Sequence, residues 1–265
     1  MIDLHCHLLP GIDDGPATLE EALALARAAA AGGTRTMIAT PHIDHRWNVE
    51  PTEVAAMVDR MREALAEAHI ELDVRAGGEI ALSRLGDLDP DQLKAVRLGG
   101  GPYMLLESPH RPTAGTEFHA FVHRLRDRGE RIVLAHPERS PAFQRHPDRL
   151  AALVRDGVLT SITAASLLGS FGGTVQSFSL RLLREGLVHD VASDSHDAER
   201  RGPELLAGLQ AAERELPGAL RMADWLTRQV PEAILAGDEL PLRPELPQQR
   251  GGVRRWLDRL QGSGT

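Results

Sequence analysis

Short aliphatic or β-branched runs alternate with longer helical patterns over most of the 265-residue chain. Seven runs have the length and composition of buried strands, at residues 2–4, 36–39, 72–76, 103–106, 132–135, 159–163 and 190–192. Helical patterns lie between them, at residues 18–31, 51–69, 117–128, 148–156, 177–185 and 203–216. The first opens with the capping-box pattern Thr18-Leu19-Glu20-Glu21 and ends at Gly32-Gly33. Seven strand–helix units in series predict a parallel sheet, either open and doubly wound or closed into a barrel.

The length and composition favour a single domain. A chain of this length with 42% hydrophobic residues can bury one sizeable core. The first predicted strand is not followed by the G-x-G-x-x-G pattern, which argues against a Rossmann dinucleotide site. Residues 241–265 are rich in Pro, Gly and Arg and end in a short amphipathic piece at 253–260. We therefore predict one domain over residues 1–240 and a loose C-terminal extension over 241–265.

Charge and hydropathy restrict the partners. A net charge of -8 argues against nucleic acid, because a surface that tracks phosphates needs excess Lys and Arg. Aromatic residues make up 3% of the chain, too few for a platform that stacks bases. The N-terminus has no pattern of a signal peptide, and the longest uncharged run, at 157–180, is too polar for a membrane span. We expect a cytoplasmic protein with no membrane span and no nucleic-acid partner.

Metal-binding side chains follow almost every predicted strand. They are His5 and His7, His42, Glu79, Glu107, His136, and Asp194 with His196, and the sixth strand alone lacks one. In a barrel of parallel strands all strand C-termini open on one face, so these side chains would converge. In His-x-His and Asp-x-His, the alternation of side chains along an extended chain directs both groups to the same side.

The residue types indicate the metal and its chemistry. Imidazole and carboxylate without thiolate suit Mn, Fe, Zn or Co, and the set is larger than one ion needs. Such a centre lowers the pKa of water and neutralises charge on a phosphoryl group. Cys6, the single cysteine, suggests a cysteine phosphatase instead, whose C-x5-R loop cradles phosphate. The position required for the arginine is Ile12, so that interpretation fails and Cys6 is expected to be a small buried residue.

Four sequence blocks, in order, resemble a known family. They are residues 5–16 (HCHLLPGIDDGP), 136–139 (HPER), 163–172 (TAASLLGSFG) and 193–196 (SDSH). Together they resemble the PHP-superfamily tyrosine phosphatases of bacterial capsule and exopolysaccharide loci, the CpsB/YwqE type, over roughly residues 1–240. The opening block is specific to this branch, whereas H-x-H alone would indicate only the superfamily.

The resemblance implies a distorted (β/α)7 barrel with three metal ions, commonly Mn2+, with Fe, Co or Zn as alternatives. It implies that the ligands are His5, His7, Asp14, His42, Glu79, Glu107, His136, Asp194 and His196. By its position before glycine, Asp14 rather than Asp13 matches the family pattern. Arg139 and Arg201 match the family's phosphate-contacting positions. The implied substrate is a tyrosine-phosphorylated protein, a bacterial tyrosine kinase with a phosphorylated C-terminal tail, and the oligomeric state is left open.

Two segments depart from the family pattern and should line the mouth of the pocket. Ile43 stands where many members have a second histidine, followed by Asp44-His45-Arg46, and residues 108–112 (SPHRP) lack the usual aromatic. Substrate fit therefore stays open, and a small-molecule phosphatase of the same superfamily, such as histidinol-phosphate phosphatase, is the alternative. An amidohydrolase barrel often uses a carbamylated lysine, but Lys94, the single lysine, lies in a helical stretch away from the strand ends. A non-enzymatic scaffold would not need so many metal-binding side chains.

Overall fold

The computed structural model describes residues 1–109 and 115–247. Nine parallel strand segments run through them: β1 (Ile2–Cys6), β2 (Thr36–Ala39), β3 (His42–Ile43), β4 (Asp73–Ala76), β5 (Glu79–Ile80), β6 (Tyr103–Glu107), β7 (Arg131–Ala135), β8 (Leu159–Thr163) and β9 (Asp190–Ala192). Seven of them correspond to the seven predicted strands. The other two, β3 and β5, are two-residue continuations of β2 and β4 that the hydrophobic pattern did not predict.

The strands close into a barrel. One sheet has the order β1-β2-β4 and the other the order β3-β5-β6-β7-β8-β9, with every pair parallel. The two ends meet where Asp194 N donates to His5 O at 2.8 Å and His7 N donates to Ser195 O at 2.9 Å. Counting β2 with β3 and β4 with β5, seven strand positions surround the axis, which confirms the predicted seven-stranded α/β barrel.

The two sheets separate where Pro41 and the pair Gly77-Gly78 interrupt their strands. Pro41 has no N–H to give to a neighbouring strand. A Cβ on Gly77 would lie 2.7 Å from Ile38 Cγ2, and one on Gly78 would lie 2.8 Å from Ile43 Cγ1. These positions therefore need glycine because the backbone passes close to its neighbours. The offset leaves His42 paired with Glu79 and Glu79 paired with Leu105 at one end of the barrel.

Within the described residues, ten α-helices surround the barrel: α1 (Leu19–Ala31), α2 (Val54–Glu67), α3 (Pro90–Ala95), α4 (Gly115–Asp127), α5 (Pro141–Arg145), α6 (Pro147–Arg155), α7 (Ala164–Leu168), α8 (Gly173–Glu185), α9 (Leu205–Glu215) and α10 (Val230–Ala236). Short 3-10 helices lie at Pro51–Glu53, Leu98–Gly100, Pro137–Arg139 and Ala219–Met222, and a π-helical turn at Trp225–Gln229. The predicted capping box forms at the start of α1, where Glu21 N donates to Thr18 Oγ1 at 3.3 Å and Thr18 N donates to Glu21 Oε2 at 3.2 Å. The sequence did not predict the short helices α3, α5, α7 and α10.

Aliphatic side chains fill the space between strands and helices, with Ile38, Met104 and Leu134 fully buried. In the part of the chain that the structure describes, no helix is both long enough and apolar enough to span a bilayer. After α10, Pro241 O accepts a hydrogen bond from Trp225 Nε1 at 3.0 Å, so residue 241 lies against the barrel. The predicted domain boundary at 240 stays a prediction, and the amphipathic piece at 253–260 lies outside the described residues.

Candidate metal centre

The carboxyl ends of the strands bring nine side chains together, here called the strand-end cluster: His5, His7, Asp14, His42, Glu79, Glu107, His136, Asp194 and His196. They form four overlapping groups in which the potential ligand atoms lie within 4.8 Å of one another. The groups are His7, Asp14, His42 and His196; His5, Glu79 and His136; His5, His7 and Asp194; and His42, Glu79 and Glu107. Every strand-end residue named from the sequence therefore lies in one region.

Glu79 lies at the centre of this region, where β5 begins. Its Oε1 is 2.6 Å from His136 Nε2, and its Oε2 is 3.0 Å from His42 Nδ1 and 3.4 Å from His5 Nε2. The carboxylate is 1% exposed, and Oε2 accepts no hydrogen bond of good geometry from the described residues. A buried carboxylate oxygen that faces several imidazole nitrogens without an aligned donor fits a metal ligand, because uncompensated burial is otherwise costly. The donor set thus fits transition-metal ions.

Asp194 connects the cluster to two arginines. Its Oδ1 lies 3.5 Å from the Nε2 atoms of both His5 and His7. Its Oδ2 lies 2.8 Å from an Arg139 NH2 group and 2.9 Å from an Arg201 NH2 group. Burial acts to raise the pKa of Asp194, but Arg139 and the neighbouring imidazoles together hold it well below its ordinary value. Asp194 therefore stays ionised, with one oxygen facing the cluster and the other facing the arginines.

Two members of the cluster leave their strands in the left-handed backbone region. His136 has φ 34° and Asp194 has φ 51°, values that few residues other than glycine adopt. Backbone hydrogen bonds hold both in place, from His136 N to Ser161 O and from Asp194 N to His5 O, each at 2.8 Å. The neighbouring strands thus maintain a strained turn that directs both side chains into the barrel mouth.

The adjacent Asp13 and Asp14 have different surroundings. Asp14 Oδ1 lies 3.2 Å from His196 Nε2 and 3.3 Å from His42 Nε2, which makes Asp14 part of the cluster. Asp13 Oδ2 instead accepts hydrogen bonds from His7 Nδ1 at 2.7 Å and from His42 N at 3.0 Å. Asp13 thereby fixes the His7 ring with Nε2 turned toward the cluster, as carboxylates behind metal-bound histidines do. The sequence indicates Asp13 only as an alternative ligand, and this supporting role was missed.

A cavity of about 270 Å³ opens over the cluster. It is lined by His42, Glu79, Glu107, His136, Arg139, Asp194, His196 and Arg201. Both arginines named from the sequence therefore line the same cavity as six of the candidate ligands. The arrangement can hold an anion between the two guanidinium groups and the candidate metal ligands.

Cys6 lies between His5 and His7 but is fully buried. Its Sγ is 3.2 Å from Ser195 Oγ, and burial raises the pKa of the thiol well above its ordinary value. A thiol of high pKa is a poor nucleophile. The geometry thus agrees with the expectation that Cys6 fills space between two candidate ligands.

The segments expected at the pocket mouth are described in part. The His45 side chain is 59% exposed and pairs with Asp87 at 3.4 Å, and it does not line the cavity over the cluster. Asp44 Oδ1 accepts from Arg46 N and Trp47 N, so this carboxylate stabilises its own turn. The segment 110–112 lies outside the described residues.

Comparison with known proteins identifies the family of this chain. The model of the family described as "Capsular polysaccharide synthesis, CpsB/CapC" matches residues 1–236. The chain belongs to the CpsB/CapC family. This confirms the resemblance noted in the sequence, which rested on the blocks that form the barrel mouth.

Relatives within the CpsB/CapC family are named as phosphatases. Tyrosine-protein phosphatase YwqE of Bacillus subtilis is 34% identical over 255 residues, which cover 94% of this chain and 97% of that protein. Tyrosine-protein phosphatase CpsB of Streptococcus pneumoniae is 31% identical over 212 residues, 77% of this chain and 86% of that protein. One solved structure comes from work on YwqE of Bacillus subtilis and CpsB of Streptococcus pneumoniae, which are described there as metal-dependent tyrosine phosphatases. It matches this chain with a TM-score of 0.80 and 33% identity, and the match covers 94% of this chain and all of that one. Dihydropyrimidinase from Brevibacillus agri, at 12% identity and a TM-score of 0.52, shares the fold alone.

Proposed function

We propose that this member of the CpsB/CapC family is a metal-dependent phosphatase that hydrolyses phosphotyrosine in proteins. One observation carries the proposal: six residues of the strand-end cluster and two arginines line the same cavity of about 270 Å³. Metal ions beside guanidinium groups are suited to phosphate monoesters, whose negative charge both can neutralise. The names of relatives that match nearly the whole chain support phosphotyrosine as the substrate class.

The nine residues of the strand-end cluster are proposed as the metal ligands. Four overlapping ligand groups with shared members are compatible with three ions, for which we propose Mn2+, with Fe, Co or Zn suited to the same donors. When bound, such ions supply activation of water as a nucleophile and neutralisation of charge on the phosphoryl group. Glu79 belongs to two of the groups, one with each of its oxygens close to a different histidine. Glu79 would therefore hold a metal ion through either of its two oxygens.

Arg139 and Arg201 are proposed to hold the phosphoryl oxygens. Each uses an NH2 group on Asp194 and keeps further N–H donors in its planar fork. A guanidinium can give two charge-assisted hydrogen bonds to a phosphate, and these strengthen as charge develops in the transition state. Asp194 thus orients both forks before the substrate binds, which reduces the reorganisation that binding requires.

The substrate is proposed to be a protein encoded with the polysaccharide pathway. The family's link to capsular polysaccharide synthesis and the names of its members support a phosphotyrosine protein of that pathway. We propose that this protein is a bacterial tyrosine kinase with a phosphorylated C-terminal tail. The protein would then act in the cytoplasm, where such a tail is accessible. Dephosphorylation of a purified kinase, followed by loss of anti-phosphotyrosine signal, tests this part separately.

The central test combines metal content with substrate choice. Protein stripped of metal by a chelator should lose activity and regain it with Mn2+, with metal per chain followed by elemental analysis. The reconstituted protein should hydrolyse a phosphotyrosine peptide with a higher kcat/KM than the matching phosphoserine peptide or histidinol phosphate. Full activity without metal refutes the metal role. A preference for histidinol phosphate refutes the protein substrate and favours the small-molecule alternative.

A further inference from the structure

Arg139 makes a contact with an aromatic ring that the proposed function does not explain. Its guanidinium carbon lies over the Phe171 ring, 4.9 Å from the ring centroid. One edge of the same guanidinium reaches Asp194 at 2.8 Å, so the group lies between an aromatic face and a carboxylate. Arg201, the other arginine at the cavity, is not stacked on an aromatic ring in the described residues and is more exposed, at 35% against 17%.

The loop that carries Phe171 is a defined turn. It follows α7, and Gly169 (φ 85°) and Gly172 (φ 89°) flank it in the left-handed region that favours glycine. Ser170 N donates to Ala165 O at 3.0 Å, and Gly172 N donates to Gly169 O at 2.9 Å. These hydrogen bonds therefore fix the backbone of Phe171 relative to α7.

Glu138 ties the turn of Arg139 to the same helix. Glu138 is fully buried, and its Oε1 accepts from Thr163 N at 2.9 Å and from Ser166 Oγ at 2.7 Å. Thr163 caps the start of α7 and Ser166 lies in its first turn, whereas Phe171 lies just beyond its end. Glu138 is a buried carboxylate outside the strand-end cluster, and its hydrogen bonds connect the turn at residues 137–139 to α7. Arg139 and Phe171 are thus attached to the two ends of one short helix.

We infer that Phe171 is a positioning residue that acts through Arg139, by holding its guanidinium at the angle at which it meets a phosphoryl group. The expected effect on kcat/KM rests on the proposed function. The expected effect on phosphate affinity does not depend on it. Stacking of a cation on an aromatic face is favourable by about 0.5–2 kcal/mol, more when the pair is shielded from water. Removal of the ring should therefore weaken phosphate binding by about 2- to 30-fold.

The test compares Phe171→Leu with Phe171→Tyr, which keeps an aromatic face, and with a matched control. Phe121→Leu makes the same change under Arg124, whose guanidinium carbon lies 5.4 Å from the Phe121 centroid on α4, away from the cavity. Calorimetry with inorganic phosphate on Mn2+-loaded protein gives the affinity, and kcat/KM on a phosphotyrosine peptide gives the rate. Phe171→Leu should reduce affinity and kcat/KM by the predicted factor at unchanged metal content. Phe171→Tyr and Phe121→Leu should stay near wild type.

A double-mutant cycle separates action through Arg139 from a general disturbance of the cavity. In an Arg139→Ala background, Phe171→Leu should change phosphate affinity by less than about twofold, since the group that it positions is gone. In an Arg201→Ala background, the full effect of Phe171→Leu should persist. An equal effect in both backgrounds, or wild-type phosphate affinity in Phe171→Leu, overturns the inference. If wild-type protein binds phosphate but does not hydrolyse phosphotyrosine, the proposed function fails while the phosphate data still decide the role of Phe171.

Discussion

Replacing Asp13 by asparagine tests how strongly the strand-end cluster depends on a side chain behind it. Asp13 Oδ2 accepts from His7 Nδ1 at 2.7 Å and from His42 N at 3.0 Å, and Oδ1 accepts from Gly15 N at 3.0 Å. Burial acts to raise the pKa of Asp13, but these contacts, led by His7, lower it overall. An ionised Asp13 therefore holds the Nδ1 proton of His7 and leaves Nε2 free for a metal.

The expected magnitude follows from the geometry. If the amide oxygen introduced by Asp13→Asn takes the place of Oδ2, the amide NH2 group faces the Gly15 N–H, so that one hydrogen bond is lost, at about 1 kcal/mol. The bond to His7 also loses its charge assistance, which removes about another 1 kcal/mol. The Gly15 bond is present with or without metal, so its loss lowers the folding stability. The weaker bond to His7 alone accounts for about 1 kcal/mol of metal affinity, or roughly fivefold, just below the 10- to 100-fold range typical of such partners. The opposite amide orientation would lose the bonds to both His7 and His42.

Competition with a fluorescent chelator measures the Mn2+ affinity, and kcat/KM on a phosphotyrosine peptide is measured at saturating and limiting Mn2+. Asp13→Asn should show weaker affinity and a loss of activity that excess Mn2+ partly restores. Asp44→Asn is the matched control, because Asp44 likewise accepts two backbone N–H bonds, from Arg46 and Trp47, without a bond to a histidine ring. Wild-type Mn2+ affinity in Asp13→Asn would refute the assigned role of Asp13.

Three further predictions address metal, nucleophile and pH. Arg139→Ala should lower kcat/KM by about 10²–10³ with metal retained, whereas His136→Ala should lose metal and activity together, as elemental analysis and kinetics will show. Cys6→Ser should keep kcat/KM within about tenfold of wild type, and a trapped phosphocysteine would contradict the metal mechanism. Burial, together with the Arg243 guanidinium, lowers the pKa of His189 to about 4. The unfolded chain takes up this proton near pH 6.5, so the His189 contribution to stability is lost as the pH falls from about 6.5 toward 4, by up to about 3 kcal/mol. The free energy of unfolding, measured by urea denaturation, should therefore fall less between pH 7 and pH 5 for His189→Asn than for wild type. An equal fall in both proteins would contradict the lowered pKa of His189.

Much of the barrel could be predicted because several strands contain short apolar runs between helical patterns, as in β7, where Ile132, Val133 and Leu134 are all buried. The two-residue strands β3 and β5 could not, because hydrophobic periodicity needs a longer segment to be visible. Their positions depend on close backbone approaches at Gly77 and Gly78, which are tertiary contacts. Short helices such as α7 are similarly set by what they pack against rather than by their own sequence.

The convergence of the candidate ligands could be predicted from their positions after the strands, since parallel strands in a barrel end on one face. Their supporting residues could not. Asp13 and Glu138 both look like ordinary loop carboxylates in the sequence, and their roles depend on which N–H groups the fold places beside them. The stacking of Arg139 on Phe171 joins two loops 32 residues apart and has no local pattern.

The closure between β1 and the segment after β9 makes the centre depend on contacts between the two ends of the barrel. His5 and His7 stand near the start of the chain, and the strands β2 to β9 separate them in sequence from their neighbour Asp194. Metal ions bound across that seam would join the two ends of the barrel and favour the closed chain over the open one by mass action, by about 2.7 kcal/mol at a free concentration one hundred times the Kd. Metal supply in the cell would then govern how long the folded protein survives proteolysis, in addition to how fast it turns over substrate.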